Sequence, residues 1–391
     1  MHSEALDFLR RVRGEHPRLF LRSRVLECGS YEMNGSPRDL FQEASYTGLD
    51  WRAGPGVDEV CLVHDYRPAQ PFDVVLSMEM LEHDPHWQRS LQAMIGFLAP
   101  GGALLLTWAA PGRAEHEVDC APQAGYYRGL SANEVFEVVA SAPVKWHTVQ
   151  VAQTRGGLDC QLLAVKPAVS VIVGAVGQAA LTSCCIQEVR RLARLPVEIV
   201  LIDNGSSPRE SELLARINAD VVLRSDEMLG FPRANNLGVT ASSGKYVLLL
   251  NNDAWPTQAG WDARLVSVLE GVPGAQIVAA TASRVSSPDQ RATGPQKSDC
   301  ELVETTRVLF VAVLLRRSTL DAVGPLDERF GLGNYEDDDY CLRVQEVGGR
   351  IIIDPATYFF HVGSVTMRTL DFDALLEANR KFFEEKWSVD P

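Results

Sequence analysis

The sequence predicts an α/β protein of two domains, and three observations predict it. Short apolar runs that read as buried strands alternate with helical stretches, the pattern of a mostly parallel sheet with crossover helices. A chain of 391 residues exceeds what one ordinary core organises. The pattern breaks once, at Lys166-Pro167-Ala168, and a fresh apolar run, Val169-Ser-Val-Ile-Val173, starts directly behind the break. The domains are therefore expected at residues 1–166 and 167–391, joined by a very short linker.

Hydrophobic residues make up 46% of the chain and charged residues 23%, an ordinary globular composition. A net charge of −14 argues against a large nucleic-acid footprint or an anionic membrane surface. Any anionic substrate must then be held locally, by backbone amides, a metal ion or a few arginines. Eight cysteines without a CxxC pair or a His/Cys cluster predict reduced thiols in a cytoplasmic protein. Met1 to Arg13 mixes acids and bases and does not read as a signal peptide. The longest apolar run, Val308 to Leu315, is too short for a transmembrane segment and predicts a buried strand.

In the first half, Arg24-Val-Leu-Glu-Cys-Gly29 predicts a strand running into a loop, with glycines at 29 and 35 for tight backbone turns. Tyr46-Thr-Gly-Leu-Asp50 predicts a second strand ending in an acid, the place where nucleoside-binding sheets hold ribose hydroxyls. Phe72 to His83 predicts a buried strand that ends in the acids Glu79 and Glu82 and a histidine, His83. Phe97 to Thr107 predicts a helix end, a Pro-Gly-Gly turn and another strand.

These residues resemble the class I S-adenosylmethionine-dependent methyltransferases over most of Leu19 to Val165, which implies a Rossmann-like fold. The resemblance implies that Glu27, Gly29 and Gly35 wrap the methionine moiety and Asp50 holds the ribose. It sets Trp51 beside the adenine and Asp65 at the adenine edge, with Glu79 and His83 where cofactor and substrate meet. His83 would take a proton from an acceptor hydroxyl; its structural alternative is a capping or core histidine. Cys28-Gly29-Ser30-Tyr31 replaces the family's usual Gly-x-Gly-x-Gly.

In the second half, Val197-Glu-Ile-Val-Leu-Ile-Asp203 ends in the turn-forming Asn-Gly-Ser. Tyr246-Val-Leu-Leu-Leu predicts a buried strand ending in Asn251-Asn252-Asp253, an oxygen-rich tip suited to a hard divalent cation. Glu336-Asp337-Asp338-Asp339 opens a predicted helix, where capping accounts for one acid and leaves three to explain. A strand from Arg350 leads to His361, a third metal-ligand candidate or a structural histidine.

From Val169 to about Trp387 these stretches, with Leu229-Gly-Phe-Pro-Arg-Ala-Asn-Asn-Leu-Gly238 and Leu326-Asp-Glu-Arg-Phe330, resemble the family 2 glycosyltransferases of the GT-A fold. The nearest likeness is to the rhamnosyltransferase-like branch. The resemblance implies that Asp203 contacts the nucleobase, Arg233 the phosphates and Asn236 the donor. Asn251 to Asp253 stand for the Asp-x-Asp motif, with Asp253 and His361 holding Mn²⁺ or Mg²⁺. Asp337 would be the catalytic base, aided by Glu336. Val173-Gly-Ala-Val-Gly-Gln178 departs from the family's Pro-Thr-Tyr-Asn, and Asn251 replaces the first acid of Asp-x-Asp.

The expected activity is inverting, metal-dependent transfer of a sugar from a nucleotide-diphosphate donor to a glycan or other hydroxyl acceptor. The methyltransferase-like domain would add S-adenosylmethionine-dependent O-methylation or serve as a docking or oligomerisation module. The polar stretch Arg284 to Glu304 is expected to overlie the acceptor. The sequence leaves an oligomer open.

Overall fold

The structure, a computed structural model, describes residues 3–33, 35–116, 121–123, 125–363 and 372–388. The chain divides into two compact units, Met1–Pro167 and Ala168–Pro391, both of mixed α/β class. Ser364, which closes the His361-Val-Gly-Ser364 stretch of the family 2 glycosyltransferase resemblance, falls outside the described residues.

The first unit runs α1 (Ser3–Glu15), β1 (Arg24–Cys28), β2 (Ser45–Asp50), β3 (Glu59–Val60), β4 (Phe72–Met78), α2 (Trp87–Phe97), β5 (Leu98–Ala109), α3 (Ala132–Ala140), β6 (Thr148–Thr154) and β7 (Asp159–Val165). Its strand order is β3-β2-β1-β4-β5-β7-β6. Pairing is parallel up to β5, and β7 lies antiparallel to both β5 and β6. Side-chain alternation feeds both faces: Val75 and Leu104 pack with α2 and α3, whereas Val74 and Leu105 pack with α1. The order reverses between β1 and β4, which opens a crevice outside their carboxyl ends.

The second unit runs β8 (Val169–Ala175), α4 (Ala179–Leu192), β9 (Val197–Asn204), α5 (Pro208–Leu214), β10 (Val221–Ser225), α6 (Gly230–Thr240), β11 (Tyr246–Asn251), β12 (Ala254–Pro256) and α7 (Trp261–Gly271). It continues with β13 (Ala275–Ala282), β14 (Val303–Thr305), β15 (Ala312–Arg316), α8 (Arg317–Val323), α9 (Glu336–Glu346), β16 (Arg350–His361) and α10 (Phe372–Trp387). The sheet order is β10-β9-β8-β11-β15-β13-β16-β12, with β14 also on β16. Leu248 and Leu250 of β11 face the cluster of α4 and α7; Val247 and Leu249 face that of α6 and α9. Here the order reverses between β8 and β11, and Asn251 at the end of β11 is in register with Gly174.

The run Val308 to Leu315 is not one strand, as its hydrophobicity suggests. β15 begins only at Ala312, and 310–311 form a turn. The cause is competition for backbone groups. The buried Gln290 side chain donates to the Leu309 carbonyl and accepts from its N–H, both at 2.9 Å. The Val311 carbonyl accepts from Asn251 N–H at 3.0 Å. No helix among the described residues is long and apolar enough to cross a membrane, and every described cysteine is a free thiol.

Candidate active site

In the second unit, β12 pairs antiparallel with β16 so that Ala254 sits opposite His361. That register brings the buried Asp253 to His361, with Oδ1 and Nε2 3.3 Å apart. His361 Nδ1 lies 2.8 Å from the Arg284 carbonyl. A carbonyl only accepts, so Nδ1 carries the proton and the neutral ring turns a lone pair at Nε2 toward the carboxylate. Two lone pairs so opposed repel unless a proton or a cation lies between them. The Asn251 amide stands 3.5 Å from the same nitrogen. A carboxylate oxygen, an imidazole nitrogen and an amide end form a donor set that fits a divalent cation such as Mn²⁺.

This pair is braced from behind. Ser283 Oγ accepts from His361 N–H and donates to its carbonyl, both at 2.9 Å. Gly363 N–H donates to Asp253 Oδ2 at 3.1 Å. Neither Ser283 nor Gln290 carries a sequence signal of this role, since both lie in a polar stretch without periodicity.

Glu336 and Asp337 open α9 behind a tight turn in which Asn334 and Tyr335 both adopt positive φ, +77° and +69°. Asn379 of α10 holds that turn, donating to the carbonyls of Phe330 at 2.8 Å and Gly333 at 2.7 Å. The Asp337 carboxylate accepts from Asp338 N–H at 3.0 Å, and the Phe310 backbone lies close enough to favour its charged form. Burial, with the charge of Asp338 behind it, pushes Asp337 up to about 7. Burial and the charge of Asp337 push Glu336 well above the usual carboxylate range. Both acids line a cleft with Ser286, Asp289, Arg307 and Tyr335. Asp253 and His361 do not line it. The link is the backbone at 310–311: Phe310 lies beside Asp337 and the Val311 carbonyl accepts from Asn251 N–H. Residues 284–289 reach both places, Arg284 at His361 and Asp289 in the cleft.

Asp339, one of the acids that capping leaves to explain, is explained by structure rather than catalysis. It is fully buried in an ion cluster with Arg343 at 2.9 Å and Lys386 at 2.5 Å, and it accepts from Trp387 Nε1 at 2.9 Å.

In the first unit, Glu27, Gly29, Gly35, Asp50, Trp51, Glu79 and His83 line one cleft at the β1/β4 reversal. Asp65 does not: it ends a 3-10 turn, its side chain is exposed, and its N–H is bound to the Leu62 carbonyl. Gly29 has φ +83°, and a Cβ there would meet the Met80 side chain at 2.7 Å. Asp50 accepts from the N–H groups of Tyr31 and Arg52 at 3.2 and 3.1 Å. Glu27 accepts from the Tyr46 hydroxyl at 2.8 Å, and burial pushes it up to about 7. Two strand-end carboxylates beside a glycine-only turn fit the cationic amino-acid end and ribose of S-adenosylmethionine. Glu79 is ion-paired with Arg113, which also holds Asp159 at 2.6 Å. Burial and the nearby His116 and Arg113 pull His83 down to about 4, so it is a weak proton acceptor.

Comparison with known proteins bears on the second unit most directly. Residues 170–314 match the model described as Glycosyl transferase family 2. The O-antigen biosynthesis protein RfbC of Myxococcus xanthus is 27% identical over 292 residues, 67% of this chain and 22% of RfbC. Phthiotriol/phenolphthiotriol dimycocerosates methyltransferase 1 of Mycobacterium ulcerans (strain Agy99) is 38% identical over 150 residues, 34% of this chain and 55% of that protein. The chain thus spans only part of either relative. Two solved structures share weaker similarity, each at TM-score 0.41, 17% identity and 50% of this chain. They are GalNAc-T7 with UDP, GalNAc and Mn2+, 44% covered, and the mannosyltransferase PcManGT from Pyrobaculum calidifontis with GDP-Man and Mn2+, 56% covered.

The Glycosyl transferase family 2 segment contains Asn251 and Asp253, whereas Asp337 and His361 lie beyond it. Within it, Asp203 is buried, accepting from Ser206 N–H at 3.1 Å and from the Ser211 hydroxyl. Asn236 has both ends of its amide bound to the Leu326 backbone at 2.9 Å, which makes it a strut between α6 and that turn. Arg233 is exposed and stands 3.5 Å from Glu328. None of the three bonds to Asp253 or His361. Asn204, which the sequence reading passed over as a turn former, accepts from Leu229 N–H at 2.6 Å and anchors the start of α6.

Proposed function

We propose that this chain is an inverting, metal-dependent glycosyltransferase of hexosyltransferase type. It moves a sugar from a nucleotide-diphosphate donor to a hydroxyl acceptor such as a glycan. One observation carries the reading: the backbone at 310–311 lies between the two places, Val311 accepting from Asn251 N–H beside the Asp253–His361 pair and Phe310 lying beside the buried acid Asp337. Asp253 and His361, with Asn251 beside them, would hold the cation. When bound, it offsets the negative charge that gathers on a departing diphosphate.

The chain's own residues do the rest. Asp337 takes the proton from the acceptor hydroxyl as it attacks the anomeric carbon, and its raised basicity suits that step. Asp338 N–H holds one oxygen of the carboxylate, while Ser283 and the Arg284 carbonyl fix the His361 ring. RfbC is named for O-antigen biosynthesis, which favours a surface-polysaccharide acceptor. The free thiols suit the cytoplasm. A donor panel with Mn²⁺ or Mg²⁺, read out as free nucleoside diphosphate, tests the reading. Turnover of no donor, with either cation, would sink it.

A second reading concerns the first unit, proposed as an S-adenosylmethionine-dependent O-methyltransferase acting on a related glycan. It is favoured by seven expected cofactor and substrate residues lining one cleft, and by the methyltransferase relative. Its alternative is a docking or oligomerisation module without chemistry. Calorimetric titration with S-adenosylmethionine decides: saturable heat supports a cofactor site, and none at millimolar cofactor leaves the module.

A further inference from the structure

Glu82, His83 and His116 each offer a ligand atom, and these atoms all lie within 4.8 Å of one another. Neither reading above uses them as a set. We propose that they form a site for a divalent transition cation of the Zn²⁺ or Mn²⁺ type, in the first unit and independent of Asp253 and His361.

Four observations lead there. Glu82 is fully buried; its Oε1 accepts from Ala109 N–H at 3.2 Å, but its Oε2 has no partner among the described residues. His83 is 5% exposed, and neither ring nitrogen has a partner there either. Buried polar atoms are rarely left so, and a cation satisfies a carboxylate and an imidazole together. Third, His116 Nδ1 lies 3.1 Å from the Ala114 carbonyl, which places the proton on Nδ1 and makes Nε2 the ring's ligating nitrogen. Fourth, the charges suit a dication. Arg113 is ion-paired with both Glu79 and Asp159, leaving one net negative charge, and Glu82, whose carboxyl burial and the charge of Glu79 push up to about 8, adds a second when a cation displaces its proton.

Two imidazoles and one carboxylate select a borderline transition metal over Ca²⁺. Ligands at about 2.1 Å from one ion stand up to roughly 4.2 Å apart, so small side-chain rotations close the set. His83 and His116 line the cleft that contains Glu27 and Asp50. A cation on three protein ligands keeps positions open there for an oxygen of a bound hydroxyl compound. The competing explanation is packing: the rings of His83, His116 and Tyr127 also meet edge to face at 5.1–5.4 Å.

The test uses the full chain carrying Asp253→Asn and His361→Ala, which removes the second unit's cation ligands. After dialysis against chelator, it is titrated with Zn²⁺ by calorimetry and with Co²⁺ by absorption, without S-adenosylmethionine. One equivalent is expected. Adding His116→Ala, a change at a partly exposed loop position, should weaken Zn²⁺ binding by at least roughly tenfold with an unchanged melting curve. His116→Cys should retain binding and gain a thiolate-to-Co²⁺ charge-transfer band. No binding in the parent, or binding indifferent to both His116 changes, overturns the proposal. Because no cofactor or donor is present, failure here is distinct from failure of either proposed activity.

Discussion

His361 turns Nε2 to within 3.3 Å of Asp253 Oδ1 while the Arg284 carbonyl holds the other ring nitrogen at 2.8 Å. The ring is thus oriented by the segment that follows β13, far from either residue in sequence. Ser283, the neighbour of Arg284, is bonded to both backbone groups of His361. Orientation of a metal-binding histidine by its outer contacts typically changes affinity 10–100-fold.

Ser283→Ala is therefore expected to weaken Mn²⁺ activation of donor turnover by about 10–100-fold while leaving the saturating rate nearly unchanged. His361→Ala should lose activation altogether. Manganese titrations of nucleoside diphosphate release check both, and an unaltered Mn²⁺ dependence in His361→Ala removes the histidine from the site.

Asp337→Asn should lower turnover by about 10²–10⁴-fold, the usual worth of a general base, with donor affinity retained. Asp337 acts as a base only when ionised. With its carboxyl pushed up to about 7, the wild-type rate should rise with pH through about 7 and fall off on the acid side. A rate flat from pH 5 to 8 contradicts the assignment.

The same raised carboxyl has the opposite effect on stability. The folded state holds the Asp337 proton more tightly than the unfolded chain, whose Asp ionises near 4. The stabilisation is complete below about pH 4 and is lost as pH rises through about 7. Asp337→Asn should therefore gain stability relative to wild type between pH 5 and pH 8, by up to roughly 2.5 kcal/mol. Urea unfolding at the two pH values measures it; an unchanged difference points to an exposed, ordinary acid.

Much of this was legible in the sequence because it rests on local rules. Strand-end acids after apolar runs located Asp50, Asp203 and Asp253, and the glycine demanded at position 29 is visible in its φ of +83°. What escaped was set by long-range backbone claims. Val308 to Val311 has strand composition, yet the Gln290 side chain captures both the N–H and the carbonyl of Leu309 before a ladder can. The acids at 336–339 look equivalent in sequence. Only packing against α10 separates Asp339, with its lysine and arginine, from Asp337 in the cleft. Asn236 and Asp203 carry family-like motifs, but their hydrogen bonds are intramolecular and no local pattern announces that.

Asp339→Ala should destabilise the second unit by about 3–5 kcal/mol, because Arg343 and Lys386 would lose a buried counter-charge. The same cluster fastens the end of α10, whose Asn379 holds the carbonyls of the turn before Glu336. Two effects can then be told apart. Asn379→Ala leaves the ion cluster intact and frees only the turn, in which Asn334 and Tyr335 sit at strained positive φ. It should lower turnover through a misplaced Asp337 with a smaller loss of stability than Asp339→Ala. Denaturant unfolding beside steady-state rates for the two variants separates them. Equal losses of rate and stability in both would show that α10 supports the fold without positioning the acid.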